Sequence, residues 1–117
     1  MTPEGKVKDL IKKHLAFIGL IPAGQAVLVT DKNTGWYYMP VSNGMGVHGI
    51  PDFIGHYRGR FFAIEAKEKG KKPTDRQVHQ LNALGVTGAA TFVVDSDESL
   101  EVFKEWARKV NLETQSS

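Results

Sequence analysis

The sequence predicts an α/β sandwich in which helices flank a mixed β-sheet, with elements in the order α-β-β-β-β-α-β-α. Three observations predict it. Apolar residues recur at helical spacing near both ends and again after residue 74. Short runs rich in β-branched and aromatic residues fill the middle and precede the last helix. Capping residues and glycines separate the two patterns.

Thr2-Pro3-Glu4 opens the first helix, with a hydroxyl at the N-cap, proline at the first helical position and an acid in the first turn. Val7, Leu10, Ile11, Leu15 and Ile18 follow, and the pattern ends near Gly19 and Pro22. QAVLVTD, from Gln25 to Asp31, and GWYYMPV, from Gly35 to Val41, read as strands joined in a hairpin by Lys32-Asn33-Thr34. Ser42 to Gly49 is glycine-rich and reads as a loop. A second hairpin covers GIPDFIGHYRGRFFAIEAK, Gly49 to Lys67, and a basic loop follows. Thr74-Asp75-Arg76-Gln77 is a capping box, opening a helix through Val78, Leu81 and Leu84 to Gly85. TFVVD, Thr91 to Asp95, is a buried-strand signal. Asp95 with Glu98 caps a last helix carrying Leu100, Val102, Phe103, Trp106 and Val110, and residues 112–117 are expected to fray.

At 117 residues, 41% hydrophobic and 24% charged, the chain has the composition of one soluble globular domain spanning 1–117. No apolar run reaches the ~18 residues of a membrane span, and MTPEGKVKDL has no signal-peptide core. The absence of cysteine excludes disulfides and thiolate metal sites and suits a reducing, cytoplasmic location. The net charge of +2 is too small to imply nucleic acid, but from Lys67 to Arg76 five basic residues stand against Glu68 and Asp75, a local +3. By itself such a loop is a solvated turn.

The second hairpin raises a sharper question, because its apolar strands carry Asp52, Glu65 and Lys67. With Arg58-Gly59 at the tip, Tyr57 pairs with Arg60, His56 with Phe61, and, further down, Phe53 with Ile64 and Asp52 with Glu65. Opposed residues share a face with Cβ atoms ~5 Å apart, and alternation puts Lys67 on that face too. Two opposed carboxylates repel unless a cation lies between them, and converging oxygens suit a hard divalent ion such as Mg²⁺. The alternative reading stays open: Asp52 ends a turn after Pro51 and Glu65–Lys67 is a surface pair. A shift of one residue in register would then put the acids on opposite faces.

Pro51-Asp52, twelve intervening residues and Glu65-Ala66-Lys67 resemble the signature of the PD-(D/E)xK nuclease superfamily. More closely, GIPDFIGHYRGRFFAIEAKEKGKKPTDRQ resembles the VRR-NUC domain. That family has a Gly-x-Pro-Asp strand, an Ile-Glu-x-Lys strand, a downstream Gln on a helix, a Glu in the first helix and a Gly/Asn-rich loop before the Pro-Asp. Here these positions are Gly49–Asp52, Ile64–Lys67, Gln77, Glu4 and Ser42-Asn43-Gly44; Ala66 stands where the family more often has Val.

The resemblance implies a restriction-endonuclease-like fold and metal-dependent hydrolysis of phosphodiester bonds in DNA. Asp52, Glu65 and the backbone carbonyl of Ala66 would hold Mg²⁺ or Mn²⁺, with Glu4 a further candidate ligand. Lys67 would orient the attacking water and offset transition-state charge. Gln77 would contact the water or a phosphate, although it also fits as the closing residue of the capping box. Glu4 is equally consistent with a favourable acid in a first turn. Lys69, Lys71, Lys72, Arg76 and Asn43 are the candidate DNA contacts. Stand-alone members of the family resemble structure-directed nucleases of phage or mobile-element recombination and repair, so branched DNA such as four-way junctions and flaps is the expected substrate. A homodimer is the expected assembly.

Two other classes compete. A binding or assembly module could keep the fold without hydrolysis, though it would have no reason to keep opposed acids. A hydrolase of small nucleotides would need a phosphate-cradling glycine motif, which is missing. Trp36, Tyr37 and Tyr38 are candidates for base stacking, with core or interface packing expected for two of the three. His48, His56 and His79 have no metal-ligand spacing and read as surface or structural residues, while His14 lies on the first helix with no partner legible in the sequence.

Overall fold

The computed structural model describes residues 1–25, 29–41 and 46–115. The elements come in the expected order: α1 (Pro3–Phe17), β1 (Leu20–Pro22), β2 (Gly35–Tyr38), β3 (Phe53–Tyr57), β4 (Arg60–Ala66), α2 (Asp75–Val86), β5 (Ala90–Val94) and α3 (Asp97–Gln115). The five strands form one mixed sheet in the order β1-β2-β3-β4-β5. The outer pairs β1–β2 and β4–β5 are parallel and the inner pairs are antiparallel.

Local chemistry explains the helix starts. Thr2 caps α1, its hydroxyl accepting from Gly5 N at 3.0 Å, with proline in the first turn. Thr74 caps α2 through a complete capping box. At α3 the cap is Ser96 rather than Asp95: Ser96 Oγ accepts from Ser99 N and its carbonyl accepts from Leu100 N. Asp95 instead accepts from both serine hydroxyls and from Gly70 N, tying the basic loop to the start of α3. α3 also runs on to Gln115, so residues 112–115 are helical where fraying was expected.

The first strand differs from the sequence reading. The Gln25–Asp31 run forms no strand over its described residues, 29–31 being irregular and 26–28 lying outside the described residues. β1 is Leu20-Ile21-Pro22, directly after the helix, and it pairs in parallel with β2 instead of forming a hairpin. Gly19, at φ 96°, makes the reversal that lets the chain leave α1 and enter the sheet at once. Consequently β2 is an inner strand and β1 is the edge.

Alternation sorts the strands into two faces. Phe53, Phe62, Ile64 and Val94 join Val7, Ile11 and Leu15 of α1 and Leu100, Phe103, Ala107 and Val110 of α3 in one core, so α1 and α3 cover one face. Phe62, Phe92, Phe103 and Trp106 fill it with edge-to-face and tilted rings 5.1 to 5.9 Å apart. The opposite face carries Phe61, Ala63 and Glu65 of β4, and α2, with Leu81 buried, shelters the β4–β5 side of it. Among the described residues no helix is long and apolar enough to cross a membrane.

Candidate active site

The β3–β4 hairpin has the expected register, from Tyr57 opposite Arg60 to Phe53 opposite Ile64. Its tip, Arg58 at φ 50° and Gly59 at φ 82°, is a two-residue turn with both centres in the left-handed region, the geometry that matches strand twist. One step beyond the last pair, Asp52 faces Glu65. Asp52 is held there by its own backbone partner, since Ala66 N donates to Asp52 Oδ2 at 2.8 Å.

The segment leading to Asp52 is wedged against α2. Gly49 sits at φ 85°, and a Cβ there would lie 2.5 Å from the carbonyl oxygen of Arg76 and 2.9 Å from Gln77 N. Only glycine allows this approach, which brings the Gly49–Asp52 segment onto the first turn of α2.

Among the described residues Glu65 is the one buried charged residue, 2% exposed. Its Oε2 lies 3.5 Å from Lys67 Nζ, while its Oε1 is buried with no hydrogen-bond partner. Burial first, and then the charge of Asp52 beside it, push its carboxyl up to about 8, with Lys67 pulling the other way. At neutral pH the pair therefore holds a proton in the absence of a stronger cation.

Glu4 does not join the two acids. It pairs with Lys8 at 3.6 Å, and Lys8 in turn pairs with Asp52 Oδ1 at 3.5 Å. Lys8 is thus a site residue that the sequence reading missed: four residues after Glu4, it has the spacing of an ordinary helix-surface ion pair. Its reach to Asp52 depends on tertiary packing, which no local pattern records.

Gln77 closes the capping box, its Oε1 accepting from Thr74 N at 2.8 Å while its own N–H donates to Thr74 Oγ1 at 3.3 Å. The geometry realises the capping alternative and leaves only its amide NH₂ for the site. Glutamate serves a capping box as well as glutamine does. Gln77→Ala is therefore expected to cost about 1 kcal/mol of stability and Gln77→Glu less than half of that. Thermal melts of both variants read this directly. A Gln77→Glu protein that melts well below the parent would show that the side chain does more than close the cap.

Lys69, Lys71, Lys72 and Arg76 are all exposed beside this site. Lys71 pairs with Glu68 at 3.4 Å. Asn43 lies outside the described residues. Of the histidines, His48, His56 and His79 are exposed. His14 packs on Phe17 and Phe103, and burial, with Lys104 and Arg108 nearby, lowers its pKa.

Among the described residues no three His, Asp or Glu side chains converge, so the protein's own carboxylates at the site number two, Asp52 and Glu65. The donor set still fits a hard divalent cation: two opposed carboxylates, one of them buried with an oxygen that nothing satisfies. Ala66 N–H donates to Asp52 Oδ2 and orients that carboxylate. No known protein family and no curated protein matches the chain.

Proposed function

We propose that the protein is a Mg²⁺- or Mn²⁺-dependent nuclease that hydrolyses phosphodiester bonds in DNA, with branched DNA as its preferred substrate and a homodimer as its working form. The observation that supports this most is the unsatisfied, buried Glu65 oxygen opposite Asp52, beside Lys67. With both acids ionised, the two neighbouring lysines do not offset burial and mutual repulsion at Glu65, which makes sense where a stronger cation is part of the working state. Asp52 and Glu65 would hold the ion, which when bound supplies Lewis-acid polarisation and an acidified water. Lys67, 12% exposed and 3.5 Å from Glu65, would stabilise charge developing on a phosphate and orient a water by hydrogen bonding. The Ala66 N–H fixes the rotamer of Asp52. Lys69, Lys72 and Arg76 would bind flanking phosphates.

A second reading has one observation in its favour. Lys8 already sits on Asp52, as a resident ammonium would in a binding module that has no need of a metal. One experiment separates the two. Four-way junction and linear duplex DNA of matched sequence are incubated with Mg²⁺, with Mn²⁺ and with EDTA, and the mass of the particle is measured by sedimentation against 12.9 kDa per chain. Metal-dependent cleavage, faster on the junction and by a dimer, is expected. Binding without cleavage under every condition selects the module. Equal cutting of both substrates by a monomer removes the junction and dimer readings and keeps the nuclease.

A further inference from the structure

The sheet face that carries Glu65 also carries a row of uncovered rings. Strand register places Trp36 beside His56 and His56 beside Phe61, with Tyr38 beside Ile54 in the next row toward Asp52 and Glu65. Trp36 and Tyr38 are each 42% exposed and Phe61 44%, large fractions for rings on the inner strands of a sheet. Of the three adjacent aromatics of β2, only Tyr37 is core, as the alternation of the strand dictates. Trp36 and Tyr38 stand nearly parallel, 11° apart, with centroids separated by 6.3 Å. That separation is close to two base steps of ~3.4 Å each.

We propose that this face is a stacking surface for unpaired bases, with Trp36 and Tyr38 as its anchors, leading a single-stranded segment of the substrate to Asp52 and Glu65. The inference rests on the nuclease reading for its direction and names the substrate class: nucleic acid with a single-stranded portion. Rings stack on any base, so the surface is sequence-tolerant, and a basic tract must hold the backbone. The chain supplies one at the far end of the same path. Lys69, Lys72 and Arg76 are exposed and form no ion pair among the described residues. A second copy of the chain, itself at net charge +2, complements that tract less well than a polyanionic strand does.

The test uses the intact protein in EDTA, so that binding is read without cleavage. Anisotropy of a labelled oligodeoxythymidine and of a duplex of equal length is measured over a series of salt concentrations. The parent is expected to prefer the single strand. Trp36→Ala and Tyr38→Ala should each weaken single-strand binding about tenfold, leave the duplex nearly unchanged, and leave the salt dependence as it was, because no phosphate contact is lost. Thermal melts of both variants confirm that they fold. Tyr38→Phe, which keeps the ring, should bind like the parent.

Single-strand affinity unchanged in both alanine variants overturns the proposal. So does a parent dimer that becomes monomeric on Trp36→Ala with single-strand affinity intact, which would make the face a homodimer interface. The two readings fail separately. Stacking-dependent binding with no metal-dependent cleavage removes the nuclease and keeps this surface, whereas cleavage with unaltered single-strand binding in the variants does the reverse.

Discussion

Replacing Lys67 with alanine is expected to lower cleavage by on the order of 10²–10³-fold, the usual loss for one preorganised donor to a developing charge, with DNA binding and melting temperature close to the parent's. The first half follows from position: Lys67 is 12% exposed, so its ammonium is desolvated and worth more than in water, and it shares a sheet face with both acids. The second half needs an argument, since removing one partner of a buried ion pair commonly leaves an uncompensated charge. Here Glu65 has an outlet. Its carboxyl already titrates at about 8, so losing Lys67 raises that value further and the group stays neutral at pH 7 instead of becoming a bare buried anion. Lys67→Arg should recover only part of the activity, since a planar guanidinium keeps the charge but not its point of delivery. The check is cleavage with saturating Mg²⁺ alongside a melt. A Lys67→Ala protein that cuts within a few-fold of the parent would show that the lysine has no part in the chemistry.

The metal-free protein is expected to lose stability as pH rises toward 8, the opposite of the usual carboxylate behaviour. Glu65 titrates at 4.5 unfolded and about 8 folded, so between these values the folded state binds the proton that the unfolded state has released. That contribution is complete below pH 4.5 and is lost as pH rises through about 8. In EDTA the melting temperature should fall by roughly 5 °C or more between about pH 5 and 9 relative to Glu65→Gln, which carries no titrating group there. Comparison with this variant cancels other groups, including His14, whose lowered pKa acts in the opposite sense below pH 6.5. Mg²⁺ or Mn²⁺ should flatten the parent's profile at high pH, since an ion favours the ionised carboxylate, and leave Glu65→Gln unmoved. Identical pH profiles for parent and variant would mean that Glu65 is not held protonated and that the two acids do not confront each other.

How much of this was legible in the sequence depended on how local the determinant was. The hairpin register could be read because a two-residue turn and strict alternation fix it within a few residues of the tip. The capping box at Thr74 could be read for the same reason. β1 could not: three residues hold too little pattern to distinguish a strand from a helix ending, and its partner is parallel and distant in sequence. Asp95 was assigned to the cap because its spacing to Glu98 fits one, yet Ser96 competes for the same helix end and Asp95 is drawn to Gly70. Lys8 was missed because its local partner, Glu4, accounts for it completely in isolation.

The two-residue turn also bears on how the chain folds. Closing a short loop costs little conformational entropy, whereas joining β4 to β5 in parallel requires the whole of α2 to be ordered between them. The β3–β4 hairpin is therefore the part of the sheet most accessible to an early folding nucleus. Asp52 and Glu65 are carried together by that hairpin, so their repulsion is met early, whereas the burial that raises the Glu65 carboxyl most arrives only as the rest of the fold packs. Ionising Glu65 should accordingly both slow folding and speed unfolding, and the protein would assemble fastest at the acidic end of its stable range.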